Sequence, residues 1–420
     1  MSNSLRHNLA DRQTDRQTDR QTDIFDLLGN KPKILSLKSS VEQDEITDSI
    51  TKMFDYDFQG DVVETLDIPI FPQNFDIGLI VGSSGSGKST ILKTAFGEEE
   101  RIEWEDGKSV ASHFDSFEEA SNKFGAVGLN SIPTWLKPYK VLSNGEAFRA
   151  DLARRLHSGA VIDEFTSVVN REVAISCSVS IEKYIRSNGL KNVVFCSCHD
   201  DIIPYLRPSW IYNTDSHQLY DGVCPRRPSI SLEIVGAEQK AWNLFKKYHY
   251  LSADLNKAST CYMALLNDIP IAFMALLTLP GRDVQHAWRE HRVVVHPDYQ
   301  GMGIGNKFSE TIAQAYIEKG CRYFCKTSNP RMGEHRNRSS LWRPTANNGK
   351  ARESYLTDDG DIRENTWNSR YGMKPELVRI HAHRVCYSHE YIGDGTVYPY
   401  TLETKTPSVN AEGQITLFDL

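Results

Sequence analysis

The stretch Ile77-Gly78-Leu79-Ile80-Val81-Gly82-Ser83-Ser84-Gly85-Ser86-Gly87-Lys88-Ser89-Thr90-Ile91-Leu92 joins an apolar strand, a glycine-rich turn and a helix start. The glycines let backbone N–H groups curl around phosphates at a helix N-terminus. Lys88 is expected to reach the β- and γ-phosphates, and Ser89 to ligate Mg²⁺. Gly82, Ser83, Gly85, Gly87, Lys88, Ser89 and Thr90 are therefore the expected nucleotide-binding set.

Outward from this stretch, residues 46–213 alternate apolar strand-like runs with amphipathic helical ones, the pattern of an α/β sheet. The run 160–162 ends in Asp163 and Glu164. Asp163 is suited to hold Mg²⁺ through its water, and Glu164 to polarise an attacking water. Leu142-Ser143-Asn144-Gly145-Glu146 precedes that pair, and the apolar run from 193 delivers His199.

These four motifs, in this order, resemble an ABC-type ATPase of the chromosome-maintenance and repair kind. The resemblance implies a γ-phosphate-sensing role for His199. It also implies an ATP-dependent homodimer in which Lys88 of one chain faces Ser143 and Gly145 of the other. Three features depart from the family. No glutamine lies between Thr90 and Ser143, Asn170 stands where an aspartate is usual, and the insert before the signature spans only about fifty residues.

A second α/β unit is expected after a linker at 223–231. Within it, residues 292–299 form a strand and a turn that lead to Gln300-Gly301-Met302-Gly303-Ile304-Gly305 and a helix over 306–317. A pyrophosphate must approach backbone N–H groups at a helix start, and only small residues leave it room. This motif resembles the GNAT acyl-CoA loop, which implies that Val295, Gln300, Gly301, Gly303 and Gly305 bind acetyl-CoA or another acyl-CoA. Glu290, His291 or His249 is placed to take a proton from an acceptor amine, and a tyrosine to donate one to sulfur. Strand alternation lets only one of Glu290 and His291 face a cleft.

The expected fold class is thus a P-loop ABC-type ATPase domain (41–222) followed by a GNAT-like mixed-sheet α/β domain (232–405). Residues 1–40, with three copies of Asp-Arg-Gln-Thr, are expected to be disordered, and 406–420 to be a flexible tail. In that tail Gln414, Leu417 and Phe418 resemble a bacterial sliding-clamp-binding peptide.

Length, with 40% hydrophobic residues over 420, allows two domains. No long uncharged apolar run is present, so neither a membrane span nor secretion is expected. The eight cysteines read as reduced thiols, since neither Cys196 with Cys198 nor Cys321 with Cys325 has a second pair at zinc-site spacing. A cytoplasmic setting, in a bacterium or a phage-infected host, follows as an expectation.

The net charge of -7 excludes a uniformly basic coat. Between Arg322 and Glu353, however, Arg322, Lys326, Arg331, Arg336, Arg338, Arg343, Lys350 and Arg352 outnumber the acids and interleave with Tyr323, Phe324 and Trp342. Such a patch suits nucleic acid, and the resemblance of the tail to a clamp-binding peptide implies DNA in preference to RNA. The expected activity is ATP-dependent N-acylation of a nucleic acid. The alternatives are a tRNA or ribosomal acetyltransferase, or a repair-type ATPase with a degenerate GNAT module.

Overall fold

The computed structural model describes residues 33–222, 225–249, 254–279, 286–351, 384–394, 408–409 and 415–416. The chain divides into two compact units: 1–103, 154–169 and 181–227 in one, and 104–153, 170–180 and 228–420 in the other. This division does not follow the linear boundary expected near 223, because the insert 104–153 belongs with the C-terminal unit.

The first unit opens with an antiparallel pair, β1 (Lys33–Ser40) and β2 (Asp61–Ile68), around helix α1 (Glu45–Phe54). Residues 33–40, expected to be disordered, are thus a strand. Alternation explains it, because half-buried Leu35 and Leu37 alternate with exposed Ile34 and Ser36 and pack on the core. Helix α1 is capped by Asp44, whose carboxylate accepts the N–H groups of Ile46 and Thr47, and it buries none of its residues.

The main sheet of this unit contains β3 (Ile77–Val81), β4 (Val161–Ile162), β5 (Val193–Ser197), β6 (Trp210–Asn213) and β7 (Gln218–Asp221), ordered β4-β5-β3-β6-β7. The first four are mutually parallel and β7 is antiparallel at the edge. All five residues of β3 and of β5 are buried, as parallel strands covered on both faces require. Helix α2 (Lys88–Phe96) follows β3 directly. A carboxylate, Glu182, is buried in this unit and bonded by Arg186, Arg207 and Arg227 at 2.6–3.2 Å.

The second unit begins with helix α3 (Phe117–Ala126), most of helix α4 (Asn144–Arg155) and the first ten residues of helix α5 (Arg171–Ser187). Its sheet runs β13-β14-β12-β11-β10-β9-β8, built from β8 (Glu233–Ala237), β9 (Thr260–Leu266), β10 (Ile269–Thr278), β11 (Ala287–Val295), β12 (Arg322–Thr327), β13 (Trp342–Pro344) and β14 (Tyr387–Tyr391). All pairs are antiparallel except β11–β12, whose parallel run needs a crossover, supplied by helix α6 (Ile304–Glu318). Phe308 and Ile312 of α6 fill one core, and Trp242, Phe245 and Phe273 lie in another. Helix α7 (Pro330–Arg338) follows β12.

Near the C-terminus, β15 (Ser408–Val409) pairs with β16 (Ile415–Thr416). Gln414, Leu417 and Phe418 lie outside the described residues. No helix among the described residues is long and apolar enough to cross a membrane.

Gly78 of β3 is paired with Trp210 of β6, and a Cβ there would lie 2.1 Å from the indole. Gly78→Ala is therefore expected to destabilise the protein by about 1–3 kcal/mol through overpacking. Urea midpoints of the two chains check this.

Candidate functional site

In the first unit, β3, β5 and β4 are adjacent and parallel, so their C-terminal ends lie side by side. The loop after β3 carries Gly82, Gly85 and Gly87 at φ 153°, 82° and 80°. Gly87 is the N-cap of α2 and offers no side-chain bond, so no side chain claims the first-turn N–H groups there. A Cβ at Gly85 would meet nothing within 4 Å, so the mouth of the loop is open. Lys88 Nζ donates to Ser83 O at 2.6 Å, folding over the loop.

Asp215 was not foreseen from sequence. Its carboxylate accepts Ser83 N–H at 2.9 Å and Ser83 Oγ–H at 2.7 Å. Those bonds hold its pKa below the usual carboxylate range. The loop thus already donates to a carboxylate through Ser83, in keeping with anion binding.

At the end of β4, Asp163 Oδ1 accepts the N–H of Glu164 at 2.8 Å. Glu164 and Thr166 both have positive φ, 47° and 73°. Non-glycine residues in that region are uncommon and gather at functional turns. Thr166 Oγ1 lies 3.2 Å from His199 Nδ1, and Ser197 Oγ accepts His199 N–H. The Cys196 thiol is pushed up first by burial and then by the charge of Asp163, with Lys88 opposing, so both reach its surroundings. A second residue not read from sequence, Glu99, accepts Asp163 N–H at 3.1 Å and pairs with Arg155.

Ser143 and Gly145 lie in the second unit. Ser143 Oγ accepts Glu146 N–H, and Glu146 Oε2 accepts Ser143 N–H at 3.0 Å, a capping box that starts α4. Glu146 also accepts from Thr134.

The second site lies where β11 and β12 part. They pair only over Ala287–Arg289 and Arg322–Phe324, although β11 runs on to Val295 and β12 to Thr327. The gap leads to the loop before α6, where Gly301 and Gly303 have φ 86° and 92°. Gly303 caps α6 with no side-chain bond, which again leaves first-turn N–H groups unclaimed by a side chain. A Cβ at Gly305 would press on Val295 at 3.3 Å. Gln300 Nε2 donates to Val295 O at 2.8 Å, so its side chain braces the loop. The donor set and the small residues fit a pyrophosphate.

The proposed bases fare differently. Glu290 is only 8% exposed, pairs with Arg336 at 3.0 Å and accepts from Ser309 and Tyr323. It is bound into a buried network and is not a free base. The strict alternation expected of β11 also fails, because Ala275 pairs with Arg292 and Leu276 with Glu290, which skips His291 in a bulge. His291 is held down to about 4 first by burial and then by Arg292, Arg289 and His249, so it is neutral near pH 7. His249 is half-buried, its ring edge-on to Trp242.

Another pair escaped the sequence reading: Tyr248 OH lies 3.0 Å from His296 Nε2. His296 Nδ1 accepts Asp298 N–H at 3.4 Å, and burial lowers the pKa of His296. A neutral ring accepting at Nδ1 donates from Nε2, which leaves the hydroxyl proton of Tyr248 available.

The basic residues of 322–353 differ in their surroundings. Arg336 is 0% exposed and stacks on Trp342, Arg331 bonds Asn130, and Arg322 and Arg343 both bind Glu390. Burial raises the pKa of Glu390, but these two arginines outweigh it and hold the group ionised. Tyr323 and Trp342 are buried in the core. Two acids outside 322–353, Glu290 and Glu390, thus pair with three of its eight basic residues, and two of the three aromatic faces are covered. Among the described residues no cluster of three or more His, Cys, Asp or Glu is arranged to hold a metal.

Residues 227–336 match the model of the acetyltransferase (GNAT) family. No curated protein matches the chain. Among solved structures, the ribosomal-protein-S18-alanine N-acetyltransferase of Escherichia coli is similar over 40% of this chain and 100% of its own, at 12% identity and TM-score 0.26. A Bacillus subtilis acetyltransferase in complex with CoA matches over 38% and 98%, at 14% identity and TM-score 0.25. A bacterial ABC transporter cassette solved as a dimer matches over 44% and 94%, at 13% identity and TM-score 0.29. Residues 227–336, most of them in the second unit, are thus similar to the GNAT acetyltransferase family.

His291 and His389 both have folded pKa values lowered to about 4, each chiefly by burial, from an ordinary 6.5. Between pH 6.5 and about 4 the unfolded chain binds these protons and the folded one does not, so stability is expected to fall as pH drops through that window. Denaturation midpoints from pH 7 to 4 should show a shallower fall for His291→Gln than for the native chain.

Proposed function

We propose that the chain is an ATP-dependent N-acyltransferase in which a GNAT site transfers an acyl group to an amine and an ABC-type nucleotide site drives or licenses the transfer. The observation that carries the acyl half is the parting of β11 from β12 above a loop with Gly301 and Gly303 at positive φ. Acetyl-CoA, when bound, supplies the activated acyl group as a thioester. The loop Gln300–Gly305 and the first turn of α6 would hold its pyrophosphate through backbone N–H groups. His249 or His291 would accept the proton of the attacking amine, and Tyr248 would offer its hydroxyl proton to the leaving sulfur.

The nucleotide half is supported by the juxtaposition of Lys88, Asp163, Glu164 and His199 at one end of a parallel sheet, where α/β sheets place ligands. Lys88 and the α2 N-terminus would hold phosphates, Ser89 and Asp163 would hold Mg²⁺, and Glu164 would orient a water. Ser143 and Gly145 would meet the nucleotide of a second copy, giving an ATP-dependent dimer.

Calorimetry on the full chain is expected to show acetyl-CoA binding without nucleotide. Gly303→Val should weaken it by at least about tenfold, since a β-branched residue is strained at φ 92° and obstructs the loop. An absence of heat from the native, folded chain would withdraw the acyl half. Independently, Glu164→Gln should keep ATP binding and lose turnover, and undiminished phosphate release would remove Glu164 from the mechanism.

A further inference from the structure

We infer that Arg149 is a positioning residue that couples nucleotide engagement at Ser143–Gly145 to the conformation of the acyl-CoA loop. The inference rests on the proposed function above and concerns how its two ligands communicate.

Arg149 lies on α4, just past the Leu-Ser-Asn-Gly-Glu motif, and is 3% exposed. Its three hydrogen bonds all go to backbone carbonyls: Nε to Gly145 at 3.0 Å, and Nη1 to Gly128 at 3.4 Å and to Pro297 at 3.2 Å. One planar guanidinium therefore ties Gly145, where a nucleotide would be contacted, to Pro297, where the turn into the acyl-CoA loop begins. A fork of fixed geometry transmits displacement between its acceptors more faithfully than a flexible ammonium.

The neighbouring contacts leave the loop little freedom to move independently. Asn130 N–H donates to Gln300 Oε1 at 3.2 Å. A Cβ at Gly128 would fall 3.3 Å from Gln300 O, and one at Gly301 would fall 1.8 Å from Ser180 Oγ. Asn170, at the position where the ATPase family usually has aspartate, donates to Asp298 at 3.4 Å. Residues 297–301 are thus gripped by three segments of the insert and of α5, all in the same compact unit. Packing this close shifts between discrete arrangements rather than deforming continuously. A nucleotide that pulls on Gly145 must move Pro297 or break the Arg149 bonds.

The test uses the full chain. Acetyl-CoA and the non-hydrolysable ATP analogue AMP-PNP with Mg²⁺ are first titrated singly, then acetyl-CoA is titrated into protein saturated with AMP-PNP. The native chain is expected to show an acetyl-CoA Kd that differs by about fivefold or more between the two states, with the same factor in the reciprocal titration. Arg149→Lys should bind each ligand alone, with the shift reduced to under about twofold. Asn170→Asp, which keeps the cap on Val173 N–H but replaces the donor to Asp298 by a carboxylate, should reduce the shift partly and serves if Arg149→Lys does not fold. Equal acetyl-CoA affinity in both states of the native chain, with both ligands binding, overturns the coupling. A full shift in the folded Arg149→Lys chain overturns the role of Arg149. Failure of either ligand to bind the native chain alone shows in the first titrations, and it brings down the proposed function and this inference with it.

Discussion

A guanidinium taken out of water is costly unless its donors find acceptors, and the second unit buries three, Arg149, Arg292 and Arg336. Two of them draw distant parts of the chain together. Arg336 joins α7 to β11 and α6 through Glu290 and Ser309 and lies over the ring of Trp342. Arg149 joins α4 to the turn after β11. Replacing such a group by one without the right donors leaves carbonyls or a carboxylate unsatisfied, so these contacts specify one arrangement of helices on the sheet.

The two loops share one device for receiving an anion. In each, an apolar strand ends and a glycine with positive φ caps the next helix without a side-chain bond. The difference lies in the surroundings. The loop after β3 is open at Gly85 and carries a lysine and an aspartate of the chain itself. The loop after β11 is braced from behind by Gln300 and by residues far away in sequence.

Both strand-loop-helix passages were legible in the sequence because local pattern sets them: an apolar run, glycines at fixed offsets, then helical periodicity. The place of β14 between β13 and β12 and the order β4-β5-β3-β6-β7 were not legible, since strand order depends on pairings between remote segments. For the same reason the ion pairs of 322–353 were not legible, because Glu290 and Glu390, which pair with Arg336, Arg322 and Arg343, lie outside that stretch. The bulge at His291 is likewise a matter of register against β10 and leaves no mark in composition. Arg149 carried no motif label at all, and its partner Pro297 lies 148 positions away.

The chain passes between its two units at 103/104, 153/154, 169/170, 180/181 and 227/228. During synthesis, therefore, helices of the second unit leave the ribosome before β5 and β6 of the first, and they wait for β8 to β14 to acquire their sheet. The usual order, in which an N-terminal domain closes before the next is made, is denied to this chain. Apolar faces of α3 and α5 are presented to the nascent-chain environment for the time needed to translate the remaining residues, so its yield on expression should depend on elongation rate and chaperone supply. A cut at 227 would separate Arg149, Gly128 and Asn130 from the 297–301 loop that they hold.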